Sequence, residues 1–367
     1  MIYNINKERL VNYFLELVKI PSPSWKEEKV LNYLTDKFSG LNIEFSKYKC
    51  GDSHNLLVHL NGNANKPTVL FSAHTDTVNP CDNIHPVITK SKITSDGTTI
   101  LGSDDKAAIA AFLETISYIK ENDIKHGPVE FLLSCAEEIG LLGIKGFDLS
   151  LLRAKYAFIF DSSGDIGKVI LKAPYQTSYD IKIKGKAAHA GIAPETGINA
   201  IRTASEIITK IPHGRIDHET TANVGIISGG KATNIVAEEA IIELEARSID
   251  LKKLKNIESK IENTARTVAK NHGAKIQIKK KLEYPGYSVK ENDRIIQIVD
   301  TALKKININP VHEASGGGSD TNIISRSGIK AVNLSIGMRD VHTSKEYIKI
   351  KDLINGTRLI LSIIESV

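Results

Sequence analysis

The sequence of 367 residues lacks the features that mark secreted and membrane proteins. Its three cysteines, Cys50, Cys81 and Cys135, are odd in number and follow no spacing pattern, so they indicate reduced thiols and not a disulfide framework. No apolar run approaches the roughly 18 to 20 residues of a membrane-spanning helix. The N-terminal segment MIYNINKERLVNYFLELVKI has no signal-type apolar core with a small-residue cleavage site. We therefore expect a cytoplasmic protein with no membrane partner.

Concentrated positive charge is also missing. The formal net charge of +5 is spread through mixed-sign segments such as KKLKNIESKIEN, and no basic block is interleaved with aromatic residues. This distribution argues against nucleic acid as a partner. The composition, 41% hydrophobic and 25% charged, is that of an ordinary globular protein, and the length suffices for two domains with sizeable cores.

Hydrophobic periodicity predicts an α/β fold for the first part of the chain. Amphipathic helices are expected at residues 7–19 and 25–38, with Ser24 as the cap of the second helix. Strands then alternate with helices of ten or more residues, an order typical of βαβ crossovers. We therefore predict a mostly parallel sheet flanked by helices.

The order of elements changes in the middle of the chain. Residues 173–286 show a strand, a helix, two strands, a helix and a strand, and this βαββαβ order suits a ferredoxin-like unit. The α/β pattern resumes afterwards. We therefore predict a ferredoxin-like domain, residues 173–286, inserted into a domain formed by residues 1–172 and 287–367.

Each core strand predicted in the first domain runs into an acid or a histidine. These residues are His74 and Asp76, Asp104 and Asp105, Glu137 and Glu138, Asp161, and His342. Singly, each has an ordinary explanation, such as a helix cap, a solvated acid pair or a turn. The ends of parallel strands meet at one edge of a sheet, however, and carboxylates packed there without cations would raise one another's pKa. Two borderline metals such as zinc suit this set of oxygen and imidazole ligands.

Six motifs resemble those of a known family. AHTDTV, GSDDKAAIA, AEEIG, FDSSG, GKAAHAG and MRDVHT, in this order and at these spacings, resemble the M20 metallopeptidase family, most closely its peptidase T (tripeptide aminopeptidase) branch. The resemblance covers essentially the whole chain. It implies a zinc-peptidase-like catalytic domain with an inserted lid and dimerisation domain. One departure is Ala108, where the branch often has glycine, and we expect it to affect local packing more than chemistry.

The resemblance also implies two zinc ions per chain, with Co²⁺ or Mn²⁺ as substitutes. Asp104 would bridge the two ions. One ion would be bound by His74, Asp104 and Asp161, and the other by Asp104, Glu138 and His342.

Further roles follow from the same resemblance. Asp76 would orient His74. Glu137 would be the general base that takes a proton from a metal-bridging water as this water attacks the scissile carbonyl, and would later deliver the proton to the leaving amine. His189 of the lid would donate to the oxyanion, either within its own chain or across a homodimer formed through the lid domains.

Substrate-binding groups are implied at three places. Asn234 in ATNIV, Arg247 in EARSID and the glycine-rich loop with Gly316, Gly317 and Gly318 match positions that the family uses to bind peptide. Each also has an ordinary explanation, since glycine-rich loops are often only turns and Arg247 lies near Asp250 in the sequence.

The resemblance implies an enzyme that hydrolyses the N-terminal residue from short peptides, with tripeptides preferred. The alternative is an M20 deacylase or carboxypeptidase acting on N-acyl amino acids or dipeptides. The SDDKA form favours the peptidase T branch over the DMKG form typical of those relatives.

Other classes of site fit less well. A cysteine hydrolase based on Cys135 lacks an evident histidine partner, and GSDDKAA lacks the glycine spacing of a phosphate-binding loop. A non-catalytic metal-binding or scaffolding protein is a further alternative, but Glu137 would have no structural role in it.

Overall fold

The structure, a computed structural model, describes residues 3–367. Two large hydrophobic cores organise the described residues. The first unit comprises the residues up to Leu171 together with Ser288–Ala314 and Ser319–Val367, and the second comprises Lys172–Tyr287 and Ser315–Gly318. The catalytic and lid roles expected for the two parts remain a prediction.

One segment that the sequence assigned to the first domain packs with the second unit. The backbone N–H of Ser315 donates to the carbonyl of Lys172 at 2.8 Å. A Cβ atom at Gly318 would lie 2.4 Å from the ring of Tyr284, so only glycine allows this close approach. The loop 315–318 therefore belongs with the second core.

The helices are α1 (Lys7–Val18), α2 (Glu28–Gly40), α3 (Ser103–Glu121), α4 (Leu142–Lys145), α5 (Ala200–Lys210), α6 (Leu251–Asn271), α7 (Arg294–Lys305), α8 (Thr321–Ile324) and α9 (Ile350–Ser366). The seven longer helices agree with the periodicity of the sequence to within a few residues, whereas the four-residue helices α4 and α8 were not predicted. Among these described helices, none combines the length and apolar character needed to cross a membrane.

The predicted cap of the second helix is wrong. Helix α2 begins at Glu28 with Glu27 at its N-cap position and no side-chain cap. Ser24 lies upstream, and its Oγ donates to Oδ2 of Asp76 at 2.6 Å. The Ser24 hydroxyl therefore forms a hydrogen bond with the buried Asp76 carboxylate and does not cap the helix.

Strands are spread over both units. They are β1 (Glu44–Cys50), β2 (Ser53–Leu60), β3 (Val69–His74), β4 (Val87–Ile88), β5 (Lys92–Thr94), β6 (Val129–Ser134), β7 (Tyr156–Ser162), β8 (Lys168–Ala173), β9 (Tyr175–Lys184), β10 (Gly214–Asp217), β11 (Thr220–Gly229), β12 (Glu239–Ser248), β13 (Lys275–Tyr284), β14 (Tyr287–Ser288), β15 (Val311–Ala314), β16 (Lys330–Ser335), β17 (Met338–Arg339) and β18 (Tyr347–Lys349).

The large sheet has the order β1-β2-β6-β3-β7-β16-β8-β14, with β15 paired to β8. Strands β6, β3, β7 and β16 are parallel at its centre. Antiparallel pairs flank them, β1 with β2 and β2 with β6 on one side and β16 with β8 on the other. The sheet is therefore mixed, and the ends of β3, β6 and β7 lie at one edge.

Burial of aromatic rings fixes the centre of the first unit. Phe71 of β3 stacks on Phe131 of β6 and Phe158 of β7 at centroid distances of 5.7 and 5.6 Å. Phe112 of α3 packs on the same group, 5.2 Å from Phe131. Helix α3 is buried along nearly its whole length, and Asp104 in its first turn lies beside His74 at the end of β3.

The second unit contains the sheet β10-β11-β12-β9-β13. Helices α5 and α6 pack on one face of it, where alternate residues of the strands form the core. The predicted order of elements is present, with the short β10 added before β11. A third, four-stranded sheet, β17-β18-β5-β4, belongs to the first unit and was not predicted.

Candidate metal and active site

His74 lies at the last position of β3 and is only 2% exposed. Its Nε2 atom is 3.1 Å from Oδ1 of Asp104 and 4.0 Å from Oδ1 of Asp161. Asp161 follows the apolar part of β7, the parallel neighbour of β3. Adjacent strand ends and the start of α3 therefore bring these three predicted ligands together.

Asp104 also faces a second histidine. Its Oδ2 atom is 3.2 Å from Nε2 of His342, and the same Nε2 is 3.0 Å from Oε1 of Glu138. The two carboxylate oxygens of Asp104 are thus directed at two different imidazoles. Ligand atoms of a tetrahedral zinc, bound at about 2.0 to 2.1 Å, lie roughly 3.3 Å apart, so these separations suit a carboxylate that bridges two cations.

Two groups of three side chains in this region have ligand atoms close enough together to bind one metal ion. Ligand atoms of His74, Asp104 and Glu138 lie within 4.8 Å of one another, as do those of His74, Glu137 and Asp161. The five predicted metal ligands and the predicted base are therefore gathered at one edge of the large sheet, although their individual roles remain a prediction.

Burial and mutual repulsion dominate the electrostatics of these acids. Burial raises the pKa of Asp161 well above its ordinary value, and repulsion from Asp104 raises it further. Burial likewise raises the pKa of Glu137, with Asp161 as the next cause. Divalent cations would remove this repulsion, so the donor set fits metal ions better than it fits a site built from protein alone.

The two histidines lower the cost of burying Asp104. Burial alone would raise the pKa of Asp104, but hydrogen bonds with His342 and His74 bring it below its ordinary value. Hydrogen bonds with Asp104 and then Glu138 raise the pKa of His342 to about 10. Asp104 is therefore the carboxylate of this group that is most firmly ionised.

Asp76 contacts more than the histidine it was expected to orient. Nδ1 of His74 lies 2.9 Å from the carbonyl oxygen of Asp76 and 3.5 Å from its Oδ1, so the close contact is to the backbone. The carboxylate accepts the backbone N–H of Glu137 at 2.9 Å and that of Glu138 at 3.2 Å. Asp76 thus links the end of β3 to the loop that follows β6.

Two buried acids that sequence reasoning missed also hold loops of the site. Oε1 of Glu27 accepts the backbone N–H of Ala136 at 2.9 Å, beside Glu137. The carboxylate of Glu346 accepts backbone N–H groups at the start of α3. Glu27 lies in the charged segment WKEEK and Glu346 in SKEY, so both have the local pattern of surface residues and no signal of burial.

Two more acids are buried nearby. Asp105 is fully buried, and neither of its carboxylate oxygens has a hydrogen-bond partner within residues 3–367. Asp320, two residues after Gly318, accepts a hydrogen bond from Ser134, and burial raises its pKa to about 6. The first unit therefore concentrates buried acidic side chains around the strand ends.

Comparisons with known proteins decide the family. Residues 176–273 match the peptidase dimerisation domain of the M20 peptidases. The crystal structure of aminopeptidase PepT from Bacillus cereus is 40% identical, with a TM-score of 0.89 over 99% of both chains. A tripeptidase from Staphylococcus aureus is 37% identical, with a TM-score of 0.93 over 98% of both chains. The uncharacterized protein YqjE of Bacillus subtilis is 39% identical over 98% of this chain and 99% of that protein.

The chain belongs to the M20 peptidase family. It is similar to the peptidase T branch and is a hydrolase of the metallo-aminopeptidase class. The family resemblance and the α/β fold class predicted from the sequence are confirmed.

The lid residues predicted for this M20 peptidase lie in the second unit. His189 forms an isolated antiparallel bridge with Ile235, and the backbone N–H of Ala190 donates to the carbonyl of Asn234 at 2.9 Å. His189 and Asn234 are both exposed. These contacts bring the two predicted residues onto neighbouring segments, while their contact with substrate remains a prediction.

Arg247, on β12, is held by a neighbouring acid. Its Nε atom lies 2.8 Å from Oε1 of Glu245 and its guanidinium also donates to Oε2 at 3.0 Å. Gln176 on β9 donates to the same Oε2 at 2.6 Å. Arg247 therefore pairs with Glu245, since residues two apart on a strand share a face, whereas Asp250 caps α6.

The glycine-rich loop is also part of the second unit. Gly316 is exposed. The backbone N–H of Gly317 donates to Oγ of Ser315, two residues earlier, at 3.0 Å. This turn leaves main-chain groups near Gly316 accessible, as a peptide-binding loop requires, and its role remains a prediction.

Proposed function

We propose that this M20 peptidase removes the N-terminal residue from short peptides, with tripeptides preferred. The observation that carries the proposal is the placement of Asp104 between His74 and His342, with one carboxylate oxygen facing each imidazole. A bridging carboxylate of this kind, beside an acid that is free for proton transfer, suits metal-assisted hydrolysis of a peptide bond.

Two divalent cations, zinc in our proposal, are held by His74, Asp104, Glu138, Asp161 and His342. When bound, such a pair activates a water molecule and polarises the scissile carbonyl. Cobalt or manganese would be held by the same nitrogen and oxygen ligands.

Glu137 moves the proton in this proposal. Its backbone is fixed by Asp76, and its carboxylate lies in the close group with His74 and Asp161. Burial raises its pKa, so its carboxylate binds a proton more readily than an exposed one, as an acid that must accept and then return a proton requires. It would take the proton of the attacking water on its carboxylate and deliver it to the leaving amine.

The second unit supplies substrate recognition in the proposal. Arg247 and Asn234 would face the free carboxylate of a short peptide, with the loop at Gly316 and Gly317 along its backbone. His189 would donate to the oxyanion. A solved relative that is 37% identical over nearly the whole chain is described as a tripeptidase, which supports the length preference.

We also propose a homodimer formed through the second unit. The match of residues 176–273 to a peptidase dimerisation domain supports it. In such a dimer, His189 could serve either its own chain or the partner's site.

A digest of defined peptides tests the substrate proposal. Di-, tri- and tetrapeptides composed of different residues are each supplied free, N-acetylated and C-amidated, with zinc, cobalt or manganese, and the released residue is identified by mass spectrometry. We expect release of the N-terminal residue, fastest from tripeptides. Acetylation should stop cleavage because the free amine is lost, and amidation should raise KM because the carboxylate is lost.

Arg247→Ala sharpens this test. It should reduce the preference for tripeptides over tetrapeptides without changing metal content, whereas Arg266→Ala, on the exposed side of α6, should leave both unchanged. Faster turnover of N-acetyl amino acids than of tripeptides, or release of the C-terminal residue first, would replace the aminopeptidase with the deacylase or carboxypeptidase alternative.

A further inference from the structure

Glu346 occupies an unusual position for an acid, since it is only 1% exposed and its carboxylate is surrounded by donors. Oε2 accepts the backbone N–H groups of Leu101 and Gly102 at 2.7 and 2.9 Å. Oε1 accepts the N–H and the hydroxyl of Ser103, both at 2.6 Å, and the N–H of Asp104 at 3.2 Å. Four successive backbone donors and one hydroxyl therefore converge on one side chain.

The last of these donors belongs to Asp104 itself. The carboxylate of Glu346 thus fixes the backbone of the residue whose side chain lies between the two histidines. Helix α3 is kinked here, because Asp104 and Asp105 have non-helical backbone angles. The regular hydrogen bonds of a helix do not set the direction of the Asp104 side chain at such a point, so an external acceptor is needed.

The other end of the connection is His342, four residues before Glu346. The turn between them is closed, since the N–H of Glu346 donates to the carbonyl of Thr343 at 3.1 Å and the Thr343 hydroxyl donates to the carbonyl of Asp340 at 2.7 Å. His342 has φ of 63°, a left-handed conformation that a non-glycine residue keeps only when its surroundings enforce it.

The structures on both sides of this turn are paired. Strand β17 precedes it, β18 follows it, and the two pair with each other. One end of a short, ordered turn thus carries His342, and the other end carries the carboxylate that binds Asp104.

A helix cap alone would not need this arrangement. A Ser, Thr, Asp or Asn beside the helix satisfies one or two of its free N–H groups from the adjacent sequence. Glu346 instead reaches the start of α3 from more than 240 positions away along the chain. The contact joins the start of α3, which carries Asp104, to the turn that carries His342. Oδ2 of Asp104 and Nε2 of His342 are 3.2 Å apart.

We propose that Glu346 is a positioning residue that sets the separation of Asp104 and His342, and thereby the affinity of the cation that these two residues share. The proposal rests on the dinuclear site described under Proposed function. Glu346 should affect the two proposed cations unequally. It supports two of the three ligands of the first cation, Asp104 and His342, but only Asp104 among the ligands of the cation bound by His74 and Asp161.

Glu346→Gln tests the proposal, because the amide keeps the size of the side chain but presents an NH₂ group to backbone N–H donors. Zinc affinity is measured on purified protein by competition with a chromophoric chelator, and cobalt binding by its visible absorption. We expect one of two binding steps to weaken by about 10- to 100-fold, the range for residues that support metal ligands, and the absorption of the corresponding cobalt ion to change.

Two further variants make the result specific. Ser103→Ala removes only the hydroxyl donor and should weaken the same step by a smaller factor, which also covers the case in which Glu346→Gln does not fold. Glu130→Gln is the matched control, since Glu130 is a buried acid, 2% exposed, that accepts the N–H of Arg153 near the opposite end of β6. It should leave both binding steps and the cobalt spectrum unchanged.

The outcomes separate the inference from the function on which it rests. If Glu346→Gln and Ser103→Ala bind two ions with the affinities and cobalt spectrum of the original protein, Glu346 only stabilises the fold and the proposal is wrong. The proposal would also be wrong if Glu130→Gln weakened metal binding as much as Glu346→Gln does. If the original protein binds no divalent ion, the dinuclear function itself is wrong and the role of Glu346 falls with it.

Discussion

Two adjacent acids at the end of β6 have different surroundings. Oε1 of Glu138 is 3.0 Å from Nε2 of His342, whereas the carboxylate of Glu137 belongs to the close group with His74 and Asp161. Asp76 accepts the backbone N–H of both, so their main chains are fixed alike. The difference between them therefore lies in their side chains, and paired substitutions can separate a ligand from a base.

We expect Glu137→Gln to keep its metal ions and its fold but to lower kcat by about 10²- to 10⁴-fold, the contribution of a general acid and base. The Glu138→Gln variant should instead lose metal, because a neutral amide would replace a proposed carboxylate ligand of the cation that His342 also binds. Metal ions per chain are counted by mass spectrometry on buffer-exchanged protein, and kcat is measured on a tripeptide. Each variant is the control for the other, and similar results for both would contradict the division of roles.

The loop that carries these acids is supported by the short helix α4. Asn55 of β2 connects the two, since its Nδ2 donates to the carbonyl of Gly143 at 2.9 Å and its Oδ1 accepts the N–H of Cys135 at 3.1 Å. A Cβ atom at Gly143 would lie 1.9 Å from the carbonyl oxygen of Cys135. Because backbone atoms form both sides of this contact, the helix cannot accept a larger residue without moving the loop.

Gly143→Ala should therefore lower the free energy of unfolding by about 1 to 3 kcal/mol, the usual cost of overpacking, and lower activity by displacing Glu137. Urea unfolding of the metal-loaded protein gives the shift in midpoint at constant slope. Gly40→Ala is the control, since a Cβ atom there would meet no atom of the described residues within 4 Å. Equal stability of the two variants would show that the loop tolerates the added methyl group.

Sequence reasoning succeeded for the elements with clear periodicity. Buried strands such as β3 and β7 begin with apolar runs, so the polar residues at their ends, His74 and Asp161, could be recognised as strand-end residues. Strands β4, β5, β17 and β18 have only two or three residues each and show no period, so their sheet was not predicted.

Side chains that act through distant backbone could not be recognised in this way. Glu346 contacts residues 101–104, and Glu27 contacts Ala136, but each has charged or polar neighbours in the sequence. Ser24 showed the opposite error, because its local pattern indicated a helix cap while its hydroxyl is used by Asp76. Local patterns therefore indicated the candidate ligands, whereas the side chains that hold their backbone depend on contacts between residues far apart in the chain.

At the scale of the whole molecule, the second unit leaves part of a strand uncovered. In the described part of the chain, β10 pairs with β11 only as far as Ala222, so residues 223–229 present a free edge. Ile226 and Ile227 on this segment are 53% and 50% exposed. Free edges with apolar side chains favour pairing with another chain, in agreement with the proposed homodimer.

Ile226→Glu should weaken dimerisation by at least roughly tenfold, which corresponds to about 1.4 kcal/mol, because a charge would be placed at the proposed contact. Leu282→Glu is the matched control, since Leu282 is also 53% exposed but lies on β13, at the other edge of the same sheet. Sedimentation at several micromolar concentrations measures the effect. A fully active monomer before substitution would contradict the dimer and any role of His189 across it.

The position of β16 in the large sheet has a consequence for how the protein is made. Strand β16 lies between β7 and β8, although the ribosome synthesises β7 and β8 first and then the whole second unit. The large sheet of the nascent first unit therefore lacks the strand between β7 and β8 until residues 330–335 have been synthesised, and His342 follows even later. A chain still in translation can present His74, Asp104, Glu138 and Asp161 but cannot complete the site. We therefore expect the two proposed metal positions to be completed only late in synthesis, after the second unit has been made.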